Sequence, residues 1–255
     1  MAETGDHRES DVGQGELSVR RAAWKRVPAR LFAFLLSADV FFVAVFALGV
    51  ALGLTHTRAF ALVNLDVETN PPSWYSATQL FVTAIAYLML GSRLLPQRRR
   101  ASDVRRLWLV LGIGFTYLSL DEGAALHERM GRLLTRLDFN LSIHGGGQWI
   151  FFYVLLAVLL LIYVRKELFL AWRDWRPELV LFLVGFGILA AGGVASEVVE
   201  WFGKFHGVAK FAEIGVEEGL EMLGGSVLAL GAYRVLAHVL GSEPDAEVEQ
   251  EVGAV

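Results

Sequence analysis

The sequence predicts an all-α fold: a polytopic membrane helix bundle with six transmembrane helices and both termini cytoplasmic. Three observations lead there. Of 255 residues, 55% are hydrophobic and only 20% charged, more apolar than a soluble domain, where about 45–50% is usual. The apolar residues fall in blocks of about 17–25, the length that crosses a hydrocarbon core of about 30 Å. Lys and Arg collect between alternate blocks, which under the positive-inside rule marks those connections as cytoplasmic.

Taken in order, residues 1–29 are polar and then basic. They hold no short apolar region followed by a small-residue cleavage site, so no removable signal peptide is expected. Arg20, Arg21, Lys25, Arg26 and Arg30 precede a first span over Leu31–Leu54. The second and third spans, Ala77–Leu95 and Leu107–Leu126, are joined by "PQRRRASDVRR". The fourth and fifth, Trp149–Val164 and Leu179–Glu200, are joined by "RKELFLAWRDWRPE", and the sixth runs over Glu217–Leu240. Connections at Thr55–Ser76, His127–Gln148 and Trp201–Val216 then face outward. The chain divides into a cytoplasmic tail over 1–29, a six-helix domain over 30–240 and an acidic tail over 241–255 whose composition predicts disorder.

Aromatic belts account for Trp74, Trp149 and Trp201 at the outer boundary and Trp108, Trp172 and Trp175 at the inner one. Glycines in "LVGFGILAAGGVAS" predict close helix packing. The expected location is an inner or plasma membrane, with membrane lipids as partners and no nucleic acid. The chain has no cysteine, which excludes disulfides, thiolate ligands and cysteine nucleophiles.

Against this background the stretch "SLDEGAALHE" stands out. With a rise of about 1.5 Å per residue, Asp121 lies about 21 Å along the third span, roughly 9 Å short of the far boundary. Glu197 lies about 27 Å along the fifth span, with Glu200 at its rim. Glu217 and Glu218 open the sixth, with Glu221 one turn deeper. Three helices thus bring acids to one layer. Helical spacing places Tyr117, Asp121 and Glu128 on one face of the third span, and Glu217 and Glu221 on one face of the sixth.

A charge within the bilayer costs about 2.5–3.5 kcal/mol on insertion scales and therefore seeks a partner in the bundle interior. No Lys or Arg in these outer halves can neutralise all the acids, which leaves metal ions and protons. Asp121, Glu122, His127, Glu197, Glu200, Glu218 and Glu221 form the expected ligand set for a divalent cation. Carboxylates suit Ca²⁺, Mg²⁺ or Mn²⁺, and His127 admits Fe or Zn. Glu128 or Glu217 would serve as catalytic base. The bland alternatives are interfacial solvation of Asp121 and Glu128, and helix N-terminal placement of Glu217 and Glu218 favoured by the macrodipole.

In the first outer connection Asp66, Glu68 and Asn70 alternate ahead of a Pro-Pro turn and could cap a cation. On those three residues the stretch resembles the acidic calcium-binding segment of alkaline ceramidases. Those enzymes are similar to a wider hydrolase group that holds zinc mainly with histidines, and the later spans here carry no such histidine set. Asp39, about 13 Å into the first span, is a candidate for a proton path or for a helix–helix hydrogen bond.

Two function classes compete. One is a cation site serving a metal-dependent enzyme, or a binding role, for a lipid-like substrate. The other is a cation- or proton-coupled transporter that uses the same cluster and functions as a homodimer. A non-catalytic sensor or assembly factor is the third reading. No H-E-x-x-H or histidine-box series is present.

Overall fold

A computed structural model describes the backbone of residues 6–92, 103–137, 149–202 and 205–241, and side chains of 24–92, 103–137, 149–194 and 205–241. Among the described residues every regular element is helical. They are α1 (Asp6–Ala51), α2 (Arg58–Ala61), α3 (Pro71–Gly91), α4 (Arg105–Ala124), α5 (Leu126–Arg136), α6 (Trp149–Tyr163), α7 (Arg165–Asp174), α8 (Arg176–Phe202) and α9 (Val208–Gly241).

Among the described residues three helices are long and apolar enough to cross a membrane: Trp24–Ala51 within α1, Arg176–Val194 within α8, and α9. A fourth span results if α4 and α5, bent by 73° at Ala125, count as one. Two of the six expected spans fall outside this set. In α3 four of the buried positions are polar, Ser73, Ser76, Gln79 and Thr83, which lowers its hydropathy, although Trp74, Phe81 and Ile85 on its other face are exposed. The 15 described residues of α6 rise only about 22 Å, less than a hydrocarbon core of about 30 Å.

The bundle is organised around α9, which packs against α8, α1 and α3, while α3 also packs against α4. Only 17% of the most apolar window of α1 or α8 is buried inside the protein, against 56% for α9. Residues such as Phe34, Phe41, Leu48 and Leu183 face outward, as lipid-facing side chains would. A single helix covers the sixth expected span, but it starts earlier, at Val208, and includes Glu213.

Small residues set the closest approaches. A Cβ on Gly112 of α4 would lie 2.9 Å from the Leu88 nitrogen of α3, and one on Gly91 of α3 an equal distance from the Leu109 nitrogen. Between α8 and α9, a Cβ on Gly224 would lie 2.6 Å from the Leu189 nitrogen and 2.8 Å from the Gly185 carbonyl oxygen. Backbones at such separations gain dispersion contacts that lipid cannot replace. The glycine-rich stretch of α8 thus packs as expected at Gly185 and Gly192, whereas Gly187 faces open space.

Two of the tryptophans assigned to the inner belt are core residues. Trp108 is completely buried and Trp175 nearly so. Trp108 stacks on Tyr87 at 5.8 Å and meets Trp175 edge-on at the same distance. Trp74 and Trp172 are exposed, as a belt requires, and Trp201 lies outside the described side chains. Near that core, Arg106 of α4 binds the buried carboxylate of Glu167 on α7 through Nε and Nη2.

Candidate functional site

The site is built where α4 ends. Ala125 adopts a left-handed conformation, φ 51° and ψ 45°, which a Cβ disfavours by roughly 1–2 kcal/mol. The chain turns there and restarts as α5. Asp121, one turn before the break, stabilises it: Oδ1 accepts the His127 backbone N–H at 2.7 Å, and Oδ2 lies 3.2 Å from His127 Nδ1. The expected shared face of Asp121 and Glu128 is therefore divided, because the two residues stand on helices 73° apart. Glu128 is half exposed and accepts from Arg132 Nη1 at 2.8 Å.

With Nδ1 held by Asp121, the His127 ring presents Nε2 to the 62–70 loop, where Glu68 Oε1 lies 3.8 Å away. Trp149 of α6 packs against the imidazole at 4.9 Å between centroids. The second carboxylate oxygen of Glu68, Oε2, is buried and without a hydrogen-bond partner. Burial pushes the Glu68 carboxyl above the usual carboxylate range, and the negative charges of Glu128 and Asp121 push it further. His127 and Arg132 partly offset them.

The loop is held by Asn70. Its Nδ2 donates to the Asn64 carbonyl at 2.6 Å and to that of Ala61 at 3.3 Å, while Oδ1 accepts from Ser73 N at the start of α3. Pro71 and Pro72, which lack an N–H, occupy the first helical positions. Asn70 is thus a helix cap and loop staple, and its oxygen does not join Glu68 as the alternating pattern suggested. Thr69 takes φ 87°, an outlier for a β-branched residue, directly after Glu68.

Deeper in the bundle, Glu122 lies within electrostatic reach of Glu68, His127 and Asp121. Glu218 is within reach of Glu122, Glu217, Asp66 and Glu68, and Glu221 of Glu218, Glu122, Glu217 and Glu68. The 62–70 loop, α4 and α9 therefore place acids within electrostatic reach of one another. The missing side chain of Gly193 makes room for Glu221, since a Cβ there would fall 2.5 Å from Oε1. Among the described residues, however, no group of three or more His, Asp or Glu side chains is arranged to hold a metal ion. The expected ligands Glu197 and Glu200 lie outside the described side chains. A cleft of about 440 Å³ opens beside the site, lined by Thr69, Pro71, Trp74, Ala77 and Gly123 among others.

Asp39 lies elsewhere, buried between three helices. Its Oδ1 accepts from Tyr75 Oη at 2.7 Å and Gln79 Nε2 at 2.9 Å, both on α3, and its Oδ2 from Ser226 Oγ on α9 at 2.6 Å. Gln79 Nε2 also lies 2.9 Å from Ser226 Oγ. Sequence reasoning singled out Asp39 but missed its partners, whose only signal was the presence of Gln79 and Ser226 within apolar helices.

Neither a curated protein nor a solved structure matches the chain. A family model described as "Domain of unknown function (DUF8692)" matches residues 29–236. That stretch contains all the site residues named above, and the chain belongs to the DUF8692 family.

Proposed function

We propose that this helical membrane protein binds a divalent cation between His127 and Glu68, with the termini on the opposite, cytoplasmic side where the basic connections lie. The observation that carries the reading is the Asp121–His127–Glu68 alignment. Imidazole and carboxylate donors stand about 2.0–2.2 Å from a metal ion, so two donors of one ion are separated by no more than roughly 4 Å. The 3.8 Å between His127 Nε2 and Glu68 Oε1 meets that limit. Asp121 then orients the imidazole and raises its basicity, the role carboxylates play behind metal-bound histidines. Glu122, Glu218 and Glu221, with water, supply the remaining positions by side-chain rotation. A histidine among carboxylates favours Mn, Fe or Zn over Ca or Mg.

A bound cation would acidify a water molecule, and Glu128 or Glu217 would act as base on a lipid-like substrate entering through the cleft beside Trp74. The transport alternative has less support, because both oxygens of Asp39 are already engaged by hydrogen bonds. Elemental analysis of purified wild type, His127→Ala, Glu68→Gln and Asp39→Asn is the test. About one equivalent of metal is expected in wild type and Asp39→Asn, with loss in the other two. Unchanged content in both site variants overturns the assignment. Lipid turnover by the loaded protein then separates catalysis from binding, and ion flux in proteoliposomes would favour transport.

A further inference from the structure

We propose that α5 is an interfacial helix that seats on an anionic phospholipid surface, with Arg129 and Arg136 binding headgroup phosphates and Leu133 and Leu137 reaching the acyl chains. This inference does not depend on a cation at His127. The 73° bend between α4 and α5 lays α5 nearly in the membrane plane when α4 runs along the normal. Amphipathic helices with basic and apolar edges occupy that position.

The order of side chains around α5 gives the direction. At about 100° per residue, His127 projects from the side opposite Arg136 and Arg129. His127 is turned toward Asp121 and Glu68, so the arginines are turned away from the acid cluster. Buried Gly131 and half-buried Met130 and Leu134 lie on the His127 side. Leu133, 54% exposed, adjoins the arginine edge, and Leu137, 66% exposed, follows at the C-terminal cap between that edge and the His127 side. Arg132 is paired with Glu128, whereas Arg129 and Arg136 have no ion-pair partner among the described residues. An exposed edge with two arginines beside two leucines matches a phosphate layer above hydrocarbon, where arginine stems and leucines share the apolar side. Each such charge near an anionic surface adds attraction that decays over about a Debye length.

The chain has no cysteine, so a single introduced thiol reports on one position. Full-length Leu133→Cys and Thr135→Cys, each carrying an environment-sensitive fluorophore, are reconstituted into phosphatidylcholine bilayers with and without phosphatidylglycerol and with spin-labelled lipid as quencher. Quenching at position 133 is expected to rise with phosphatidylglycerol, while position 135, on the water side, stays unquenched. Arg129→Ser/Arg136→Ser in the Leu133→Cys background is expected to lose the rise, and the Lys/Lys pair to keep it, which separates loss of charge from misfolding. Equal quenching with and without phosphatidylglycerol overturns the proposal. So does an unquenched label at position 133 with 133–133 cross-linking between chains, which would make the edge a contact with a second copy.

Discussion

Ser226 donates from Oγ to Asp39 Oδ2 at 2.6 Å, joining α9 to α1 across 187 residues of sequence. The same carboxylate holds α3 through Tyr75 and Gln79. In a membrane, where water cannot replace a lost partner, this makes Asp39 the point at which three helices are tied together.

Ser226→Ala removes the donor to Oδ2 and leaves a buried acceptor unsatisfied. A loss of about 1–2 kcal/mol is expected, and a larger loss for Gln79→Leu, since Nε2 lies near four oxygens. Denaturant unfolding in detergent measures it. Stability unchanged in both variants would show that the network is not supporting the bundle.

Gly224 and Gly187 predict opposite outcomes for one substitution. Gly224→Ala places a methyl group against the backbone of α8, which cannot yield without separating the helices, at a cost of about 1–3 kcal/mol. Gly187→Ala meets nothing within 4 Å and is expected to be neutral or slightly stabilising, because alanine is favoured over glycine in a helix by about 1 kcal/mol. Thermal midpoints of the two variants check this.

Gly193→Ala tests the acid cluster without removing an acid. The new Cβ displaces the end of a flexible Glu221 side chain, so unfolding is expected to change little while cation affinity falls several-fold. Titration calorimetry beside an unfolding curve reads both, and unchanged affinity would exclude Glu221 from the site.

Cation retention is expected to depend on pH with a defined sign. A carboxylate must lose its proton to bind a metal, and burial together with Glu128 and Asp121 raises the Glu68 proton affinity. Affinity should therefore rise with pH through the range above ordinary carboxylate titration, and fall as pH drops back through it. Glu68→Gln, measured by calorimetry at several pH values, should flatten this dependence along with weakening binding.

At the other end, Arg106→Leu strands the Glu167 carboxylate, 8% exposed with Oε2 already unpartnered. A loss of unfolding stability is expected, smaller than for a fully buried pair because Arg106 is itself exposed. Arg106→Leu/Glu167→Leu should recover much of it, and a double variant no more stable than the single would contradict the account.

Sequence by itself determined the helical class and the apolar segments that form helices. Hydropathy and the fixed rise of a helix are local quantities, and they place residues along an axis without tertiary information. It also identified Asp39 as a buried acid needing a partner. Tertiary structure alone decided which helix faces turn outward and which, like the Ser73, Gln79 and Thr83 face of α3, turn inward, because that depends on what surrounds a helix. It also buried Trp108, turned Asn70 into a cap, and separated Asp121 from Glu128. That separation turns on Ala125, a residue with no intrinsic preference for a left-handed bend, held there by the Asp121–His127 hydrogen bonds that the bend itself makes possible.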